Sequence, residues 1–145
     1  MNLGMIGLGK MGANMTRRLI EGGHHVVGFD PRPEVVAELV AEGAGGAASL
    51  TELVAQLEPP RTAWLMVPSG NITEDTLAAL AALLAPGDTI IDGGNSNYKD
   101  SMRRAGMLRE KGLHFIDVGT SGGIWGLAEG YSLMIGGDPE IVAHH

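Results

Sequence analysis

Short apolar runs alternate along the chain with stretches in which apolar side chains recur every three or four residues. The first pattern predicts strands and the second predicts amphipathic helices. Predicted strands cover Leu3–Ile6, His24–Phe29, Ala47–Ala48, Ala63–Val67, Thr89–Asp92, His114–Val118 and Tyr131–Ile135. Predicted helices cover Met11–Ile20, Pro33–Glu42, Ser49–Leu57, Thr73–Leu84 and Lys99–Lys111, and Asp138 caps the start of another. This alternation is typical of an α/β fold built on a doubly wound, mostly parallel sheet.

Local signals refine three of these segments. Ser49-Leu50-Thr51-Glu52 has the pattern of a capping box, in which a hydroxyl and a carboxylate accept hydrogen bonds from N–H groups at a helix start. Gly119–Gly130 is predicted to be a long glycine-rich loop. Asp100 precedes Arg103 and Arg104 by one helical turn, and we expect both arginines on a solvated helix face.

The stretch Gly7-Leu8-Gly9-Lys10-Met11-Gly12 lies between the first predicted strand and the first predicted helix. A strand that turns on glycines into a helix leaves the first helical N–H groups unpaired, and these groups favour a diphosphate. We assign Gly7 to the tight turn, Gly9 to close approach of the backbone to the phosphates, and Gly12 to close helix–strand packing. In a chain with 23 glycines the motif alone is weak, but its context indicates a Rossmann-type, NAD(P)-binding domain.

Asp30 follows the second predicted strand, 18 residues beyond Gly12. An acid at this place accepts hydrogen bonds from the adenosine ribose and repels a 2′-phosphate, so the sequence favours NAD as the cofactor. Arg32, two residues further on, is able to accommodate such a phosphate. Because of the Asp30 carboxylate, NADP is the less favoured cofactor. Asp30 and Arg32 are both candidate cofactor contacts.

Composition narrows the range of partners. The 145 residues are one domain's length, and their formal net charge of −7 comes without a basic block. This balance argues against binding nucleic acid or an anionic membrane. The absence of cysteine excludes disulfides and thiolate metal sites, and no metal site is predicted. Because the sequence shows neither a signal peptide nor an apolar run of membrane-spanning length, we expect a cytoplasmic location.

Two polar loops follow later strands, at the edge of the sheet where ligands bind. Gly93–Ser96 places an amide, Asn95, and a hydroxyl where a nicotinamide would lie. Ser121-Gly122-Gly123 offers a hydroxyl and two unobstructed N–H groups to the carboxylate or hydroxyl of a hydroxy acid. The residues alone leave an alternative open, in which Asn95 and Ser121 bind only the local backbone of turns.

Three segments resemble one family: Gly7–Met15, Asp92–Ser96 and Asp117–Gly126. They are similar to 6-phosphogluconate dehydrogenase (decarboxylating), and more narrowly to its NAD-preferring bacterial branch. The resemblance spans essentially the whole chain, but only the family's N-terminal, cofactor-binding part. The related β-hydroxyacid dehydrogenases share the first motif and the Ser-Gly-Gly, yet usually carry a Ser-Thr-rich segment in place of Gly93–Ser96.

The resemblance implies oxidation of 6-phosphogluconate, a phosphorylated sugar acid, by hydride transfer to a nicotinamide. Loss of carbon dioxide and tautomerisation then give ribulose 5-phosphate, a step of the pentose phosphate pathway. Met11 would pack against the nicotinamide. The cofactor contacts would be Gly7, Leu8, Gly9, Lys10, Met11, Gly12, Asp30, Arg32, Val67, Pro68 and Asn95. The substrate contacts would be Asn95, Ser121, Gly122 and Gly123.

The sequence departs from the family in the residues expected to carry catalysis. The family's catalytic lysine, acid glutamate and phosphate-binding arginines have no match here, since Lys10, Lys99 and Lys111 lie elsewhere. We therefore expect residues 1–145 to be a dinucleotide-binding domain truncated before a helical C-terminal domain, with no catalytic residue and little turnover of its own. The resemblance implies that the full-length protein is a homodimer.

Two alternatives remain open at this point. The first is a β-hydroxyacid dehydrogenase of the 3-hydroxyisobutyrate type, which acts on a small unphosphorylated acid. The second is a non-catalytic binding module that responds to NAD. The substrate preference of a full-length version separates the first from the leading interpretation.

Overall fold

A mostly parallel sheet lies at the centre of the molecule, and the loops that carry the candidate site residues follow the carboxyl ends of its strands. The structure, a computed structural model, describes residues 2–94, 96–121, 128, 130 and 132–145. In this part of the chain seven strands form one sheet: β1 Asn2–Ile6, β2 His25–Phe29, β3 Gly45–Gly46, β4 Thr62–Leu65, β5 Thr89–Asp92, β6 His114–Ser121 and β7 Ser132–Gly137. Their spatial order is β3-β2-β1-β4-β5-β6-β7, and all neighbours are parallel except β6 and β7. The predicted α/β fold with a doubly wound, mostly parallel sheet is confirmed.

Helices cover both faces of the sheet because successive strand residues point to opposite sides. The helices are α1 Lys10–Glu21, α2 Pro33–Ala41, α3 Leu50–Ala55, α4 Asn71–Leu83, α5 Tyr98–Glu110 and α6 Pro139–His144. On β1, Leu3 and Met5 join the core with α1 and α2, whereas Ile6 joins the core with α3, α4 and α5. The order of the strands reverses between β1 and β4, which places the topological switch point at their carboxyl ends.

The third strand lies two residues before its predicted position. Gly45 and Gly46 pair with Val27 and Gly28 of β2, so the predicted strand at Ala47–Ala48 is wrong. A methyl group at position 46 would lie 2.6 Å from Val40 Cγ2 on α2. Because α2 crosses so close to this edge, a side chain at position 46 would force Val40 to move, and glycine avoids this.

The sixth strand is longer than predicted. Residues Gly119, Thr120 and Ser121 pair antiparallel with β7, so the predicted Gly119–Gly130 loop begins after Ser121 at the earliest. The pairing is non-local, and no pattern within the segment itself signals it. Conversely, β4 ends at Leu65, two residues before the predicted Val67.

The predicted capping box forms at the start of α3. The Glu52 N–H donates to Ser49 Oγ over 3.1 Å. The Glu52 carboxylate in turn accepts the N–H of Ala48, also over 3.1 Å, one residue before the expected partner. The helix ends at Ala55, not at Leu57 as predicted.

Candidate functional site

The glycine-rich turn after β1 packs directly on the segment after β4. Gly7 has a φ of +94°, which a residue with a side chain rarely adopts, and a methyl group there would lie 2.4 Å from the Met66 carbonyl oxygen. A methyl group at Gly12 would lie 2.0 Å from the Gly7 carbonyl oxygen. The tight turn and the close helix–strand contact that the sequence predicts are therefore both present.

Gly9 differs from the other two glycines of the motif. Its backbone is extended, with a φ of −63°, and a methyl group there would meet no heavy atom of the described residues within 4 Å. Gly9 is also the N-cap of α1, where no side chain caps the first turn and no acidic residue lies within it. The backbone beside Gly9 is therefore open, and a first helical turn that lacks a side-chain cap there suits an anionic group such as a diphosphate.

Asp30 lies beside this turn and is buried. Its Oδ2 accepts the N–H of Leu8 over 2.9 Å, which fixes the glycine-rich turn to the end of β2. Its Oδ1 accepts the N–H of Arg32 over 2.9 Å. Burial raises the pKa of Asp30, but the hydrogen bonds from the Arg32 side chain and from the two backbone N–H groups outweigh it. The net pKa lies below the ordinary carboxyl value, and Asp30 is ionised at neutral pH.

The guanidinium of Arg32 also lies on Asp30. Nε donates to Oδ1 over 2.9 Å and Nη2 donates to Oδ2 over 3.2 Å. The Asp30 side chain is 6% exposed and the Arg32 side chain 55% exposed. The two candidate cofactor residues thus contact each other, which the sequence did not indicate.

The other candidates in and beside the glycine motif take different positions. The Leu8 side chain is buried against Gly28, so only its backbone faces the site, while Lys10 is exposed. Met11 is half-buried against the core beneath α1. Val67 and Pro68 follow β4, and the Pro68 carbonyl oxygen accepts the Thr73 hydroxyl over 2.9 Å.

The loop after β5 is anchored to a buried carboxylate. Asp92 Oδ1 accepts the N–H of Gly94 over 2.9 Å, and Oδ2 accepts the Ser96 hydroxyl over 2.6 Å. A methyl group at Gly94 would lie 2.6 Å from the Val67 carbonyl oxygen, so this loop packs on the segment after β4. Asn95 itself lies outside the described residues, as do Gly122 and Gly123, while Ser121 is the last residue of β6.

Sequence reasoning missed the ionic network behind this loop. The Arg104 side chain is 2% exposed, with Nη1 3.4 Å from Asp92 Oδ2 and Nε 2.8 Å from Glu74 Oε1. The expectation that Arg104 lies on a solvated face is wrong, whereas Arg103 is 50% exposed. Ser101, Arg104 and Leu108 are all buried, and their helical spacing was the signal that the arginine points inward.

Asp117 pairs in register with Asp92 on the neighbouring strand. Burial first, and the negative charge of Asp92 second, raise the pKa of Asp117 above its ordinary value, against smaller opposing effects of Ser101 and then of Arg104. Two carboxylates thus share one end of the sheet, directly behind the loop that carries Asn95. Only Asp92 has a close arginine partner there among the described residues.

Two other kinds of functional feature are absent from the described part of the chain. No helix there combines the length and apolar character needed to cross a bilayer. No group of three or more histidine or acidic side chains among those residues is arranged to hold a metal ion.

Comparison with known proteins identifies a family that covers nearly the whole chain. The sequence profile of the NAD binding domain of 6-phosphogluconate dehydrogenase matches residues 2–145. YqeC of Bacillus subtilis (strain 168), provisionally named a 6-phosphogluconate dehydrogenase, is 47% identical over 140 residues, which cover 97% of this chain and 47% of that protein. The NAD(+)-dependent, decarboxylating 6-phosphogluconate dehydrogenase of Haloferax volcanii is 43% identical over 137 residues, covering 94% and 45% respectively. The chain therefore spans less than half the length of these relatives.

Solved structures of two enzyme types share the fold. Mycobacterium tuberculosis 3-hydroxyisobutyrate dehydrogenase with L-serine superposes with a TM-score of 0.90 at 28% identity, over 99% of this chain and 48% of that one. Plasmodium falciparum 6-phosphogluconate dehydrogenase, solved in its apo form, with its cofactor NADP+ and with its substrate 6-phosphogluconate, gives 0.89 at 29% identity, over 96% and 31%.

Proposed function

This chain belongs to the family of NAD binding domains of 6-phosphogluconate dehydrogenase, and on that premise we propose that it binds NAD across the carboxyl edge of its sheet. The observation that carries the proposal is the unfilled space around Gly9 at the uncapped start of α1. The N–H groups of the first turn and the positive end of the helix dipole bind the diphosphate there. Bound NAD supplies the hydride acceptor.

The residues around this turn hold the two ends of the dinucleotide. Asp30 accepts hydrogen bonds from the adenosine ribose and, being ionised, repels a 2′-phosphate, so NAD is preferred to NADP. Met11, Val67 and Pro68 line the path to the nicotinamide. Lys10, exposed at the first position of α1, adds a positive charge near the phosphates.

Substrate contacts come from the loops after β5 and β6. The proposed contacts are Asn95, Ser121, Gly122 and Gly123. The backbone and hydroxyl bonds from Gly94 and Ser96 to Asp92 support this assignment, because they hold the chain on both sides of position 95. A small sugar acid fits a loop that offers amide, hydroxyl and backbone donors.

For a whole protein that carries this domain, we propose oxidative decarboxylation of 6-phosphogluconate to ribulose 5-phosphate. A helical C-terminal domain would supply the general base and most of a homodimer interface. Residues 1–145 contain no lysine at the position of the family's base, so this chain alone binds the cofactor with little turnover.

A second candidate is oxidation of a small unphosphorylated hydroxy acid. The superposition on 3-hydroxyisobutyrate dehydrogenase, with a TM-score of 0.90, supports it at the level of the fold. The segment Gly93–Ser96 favours the phosphogluconate assignment instead. Initial rates with 6-phosphogluconate and with 3-hydroxyisobutyrate, measured on this domain joined to a helical domain of the family, separate the two.

Calorimetric titration with NAD and with NADP tests the proposed cofactor site. The chain is expected to bind NAD at least about tenfold more tightly than NADP, and Asp30→Asn is expected to lose most of that preference. Asp138→Asn is the matched control, since it removes the same charge at the opposite edge of the sheet, where asparagine remains a good N-cap. An Asp30→Asn variant with an unchanged NAD-to-NADP ratio would contradict the role of Asp30. No binding of either dinucleotide would contradict the proposed function.

A further inference from the structure

The carboxylate of Asp30 has no acceptor site left for a ligand. Its two oxygens accept four hydrogen bonds, one from the Leu8 N–H and three from Arg32, at 2.9 to 3.2 Å. An ionised carboxylate offers about four lone-pair sites in total. The side chain is only 6% exposed, so little of its surface is open to a ribose hydroxyl.

The four N–H donors on Asp30 differ in how easily a ligand can displace them. The N–H groups of Leu8 and Arg32 belong to backbone that the glycine-rich turn and the start of α2 hold in place. The guanidinium ends a flexible side chain that is 55% exposed. Its Nε and Nη2 donate a bidentate pair of hydrogen bonds to Asp30. The vicinal hydroxyls of a ribose also present two donors side by side.

From this arrangement we propose that the Arg32 guanidinium occupies the place of the adenosine ribose diol on Asp30 and competes with NAD. The inference rests on the proposed function. NAD must displace the guanidinium before its ribose reaches the carboxylate. A dinucleotide with a 2′-phosphate gives the displaced guanidinium a new anionic partner, so Arg32 narrows the preference for NAD.

Arg32 thus acts on NAD in the opposite direction to an arginine that binds a cofactor. Removing it strengthens the binding of NAD and weakens the binding of NADP. Arg32→Gln removes both the positive charge and the bidentate guanidinium. Arg32→Lys keeps the positive charge, but its ammonium group cannot bind the carboxylate as the planar guanidinium does. Arg109→Gln is the matched control, because Arg109 is exposed in the last turn of α5, at the opposite edge of the sheet.

Calorimetric titration of the 145-residue chain with NAD and with NADP, at one fixed salt concentration, measures the effect. For Arg32→Gln the dissociation constant for NAD is expected to fall about three- to tenfold and that for NADP to rise by a similar factor. Arg32→Lys gains affinity for NAD and retains most of its affinity for NADP. Arg109→Gln matches the unchanged chain with both ligands.

Three results would overturn the inference. If Arg32→Gln binds NAD more weakly than the unchanged chain, the arginine assists NAD instead of competing with it. If the NAD-to-NADP ratio of Arg32→Gln equals that of Arg109→Gln, the contact with Asp30 has no part in selectivity. If no variant binds either dinucleotide while all unfold cooperatively, the proposed function fails, and the inference fails with it.

Discussion

Two carboxylates on adjacent strands, Asp92 at the end of β5 and its register partner Asp117 within β6, have different surroundings. Asp92 is fully buried and accepts hydrogen bonds from Gly94 and Ser96, with Arg104 close by. Asp117 is half-buried beside the Asp92 charge, and its pKa is raised by burial and by that charge. Ionising Asp117 therefore costs stability that ionising a solvated carboxyl does not.

The pH dependence of Asp117→Asn follows from the direction of this shift. Because the folded pKa lies above the unfolded one, the contribution of Asp117 to stability is fully present below the unfolded value and is lost as pH rises through the folded value. Asp117→Asn is therefore expected to raise the melting temperature near pH 7 and to lose this advantage near pH 4. Thermal unfolding at both pH values measures it, with Asp75→Asn on the exposed surface of α4 as the control. An advantage of the same size at both pH values would contradict the account.

At the level of helices, α5 carries two adjacent arginines that both contact Glu74 but differ in burial. The Arg104 side chain is 2% exposed and lies against Asp92, which has no exposure, whereas Arg103 is half-exposed. Removing one member of a buried ion pair leaves the other charge buried and unpaired, while an exposed pair contributes little.

Arg104→Met is expected to lower the free energy of unfolding by about 3 kcal/mol or more. Arg103→Met, with the same side-chain change one residue away, is expected to stay close to the unchanged chain. Urea unfolding followed by circular dichroism compares the two. Equal losses in both variants would show that Arg104 does not act as the counter-charge of Asp92.

The sequence predicted those elements whose pattern is local. The prediction of strand β5, Thr89–Asp92, matches the structure to the residue, because β-branched residues lie there between the Pro86-Gly87 turn and the glycines at 93 and 94. Strand β3 has no such pattern, since Gly45–Gly46 is a strand only through its pairing with β2 beneath α2. The last three residues of β6 likewise depend on the distant β7.

At the level of the whole molecule, the predicted family and fold class are confirmed because their signals lie in contiguous motifs. The roles of Gly7 and Gly12 followed from their spacing and are visible as close contacts. The burial of Arg104 could have been predicted from its helical spacing with Ser101 and Leu108, whereas the contact of Arg32 with Asp30 depends on a side-chain direction that one sequence does not specify. The cofactor and substrate assignments stay predictions.

Gly9 is central to the proposed function, because the backbone beside it, with no side chain in the way, is proposed to bind the diphosphate of NAD. Gly9 and Gly106 form a matched pair, since a methyl group at either position would meet no heavy atom within 4 Å in the part of the chain that the structure describes, the local helix backbone aside. Gly9→Ala puts that methyl group into the space proposed for the phosphates, whereas Gly106→Ala lies on the exposed face of α5. Alanine in place of this helical glycine is expected to add about 0.5–1 kcal/mol of stability.

The most direct measurement is calorimetric titration of both variants with NAD, after thermal unfolding has shown that each folds. Gly9→Ala is expected to melt slightly lower than the unchanged chain, because alanine is a poorer N-cap than glycine, and to bind NAD at least about tenfold more weakly. Gly106→Ala is expected to melt higher and to bind NAD as the unchanged chain does. Undiminished binding of NAD by a well-folded Gly9→Ala would contradict the account.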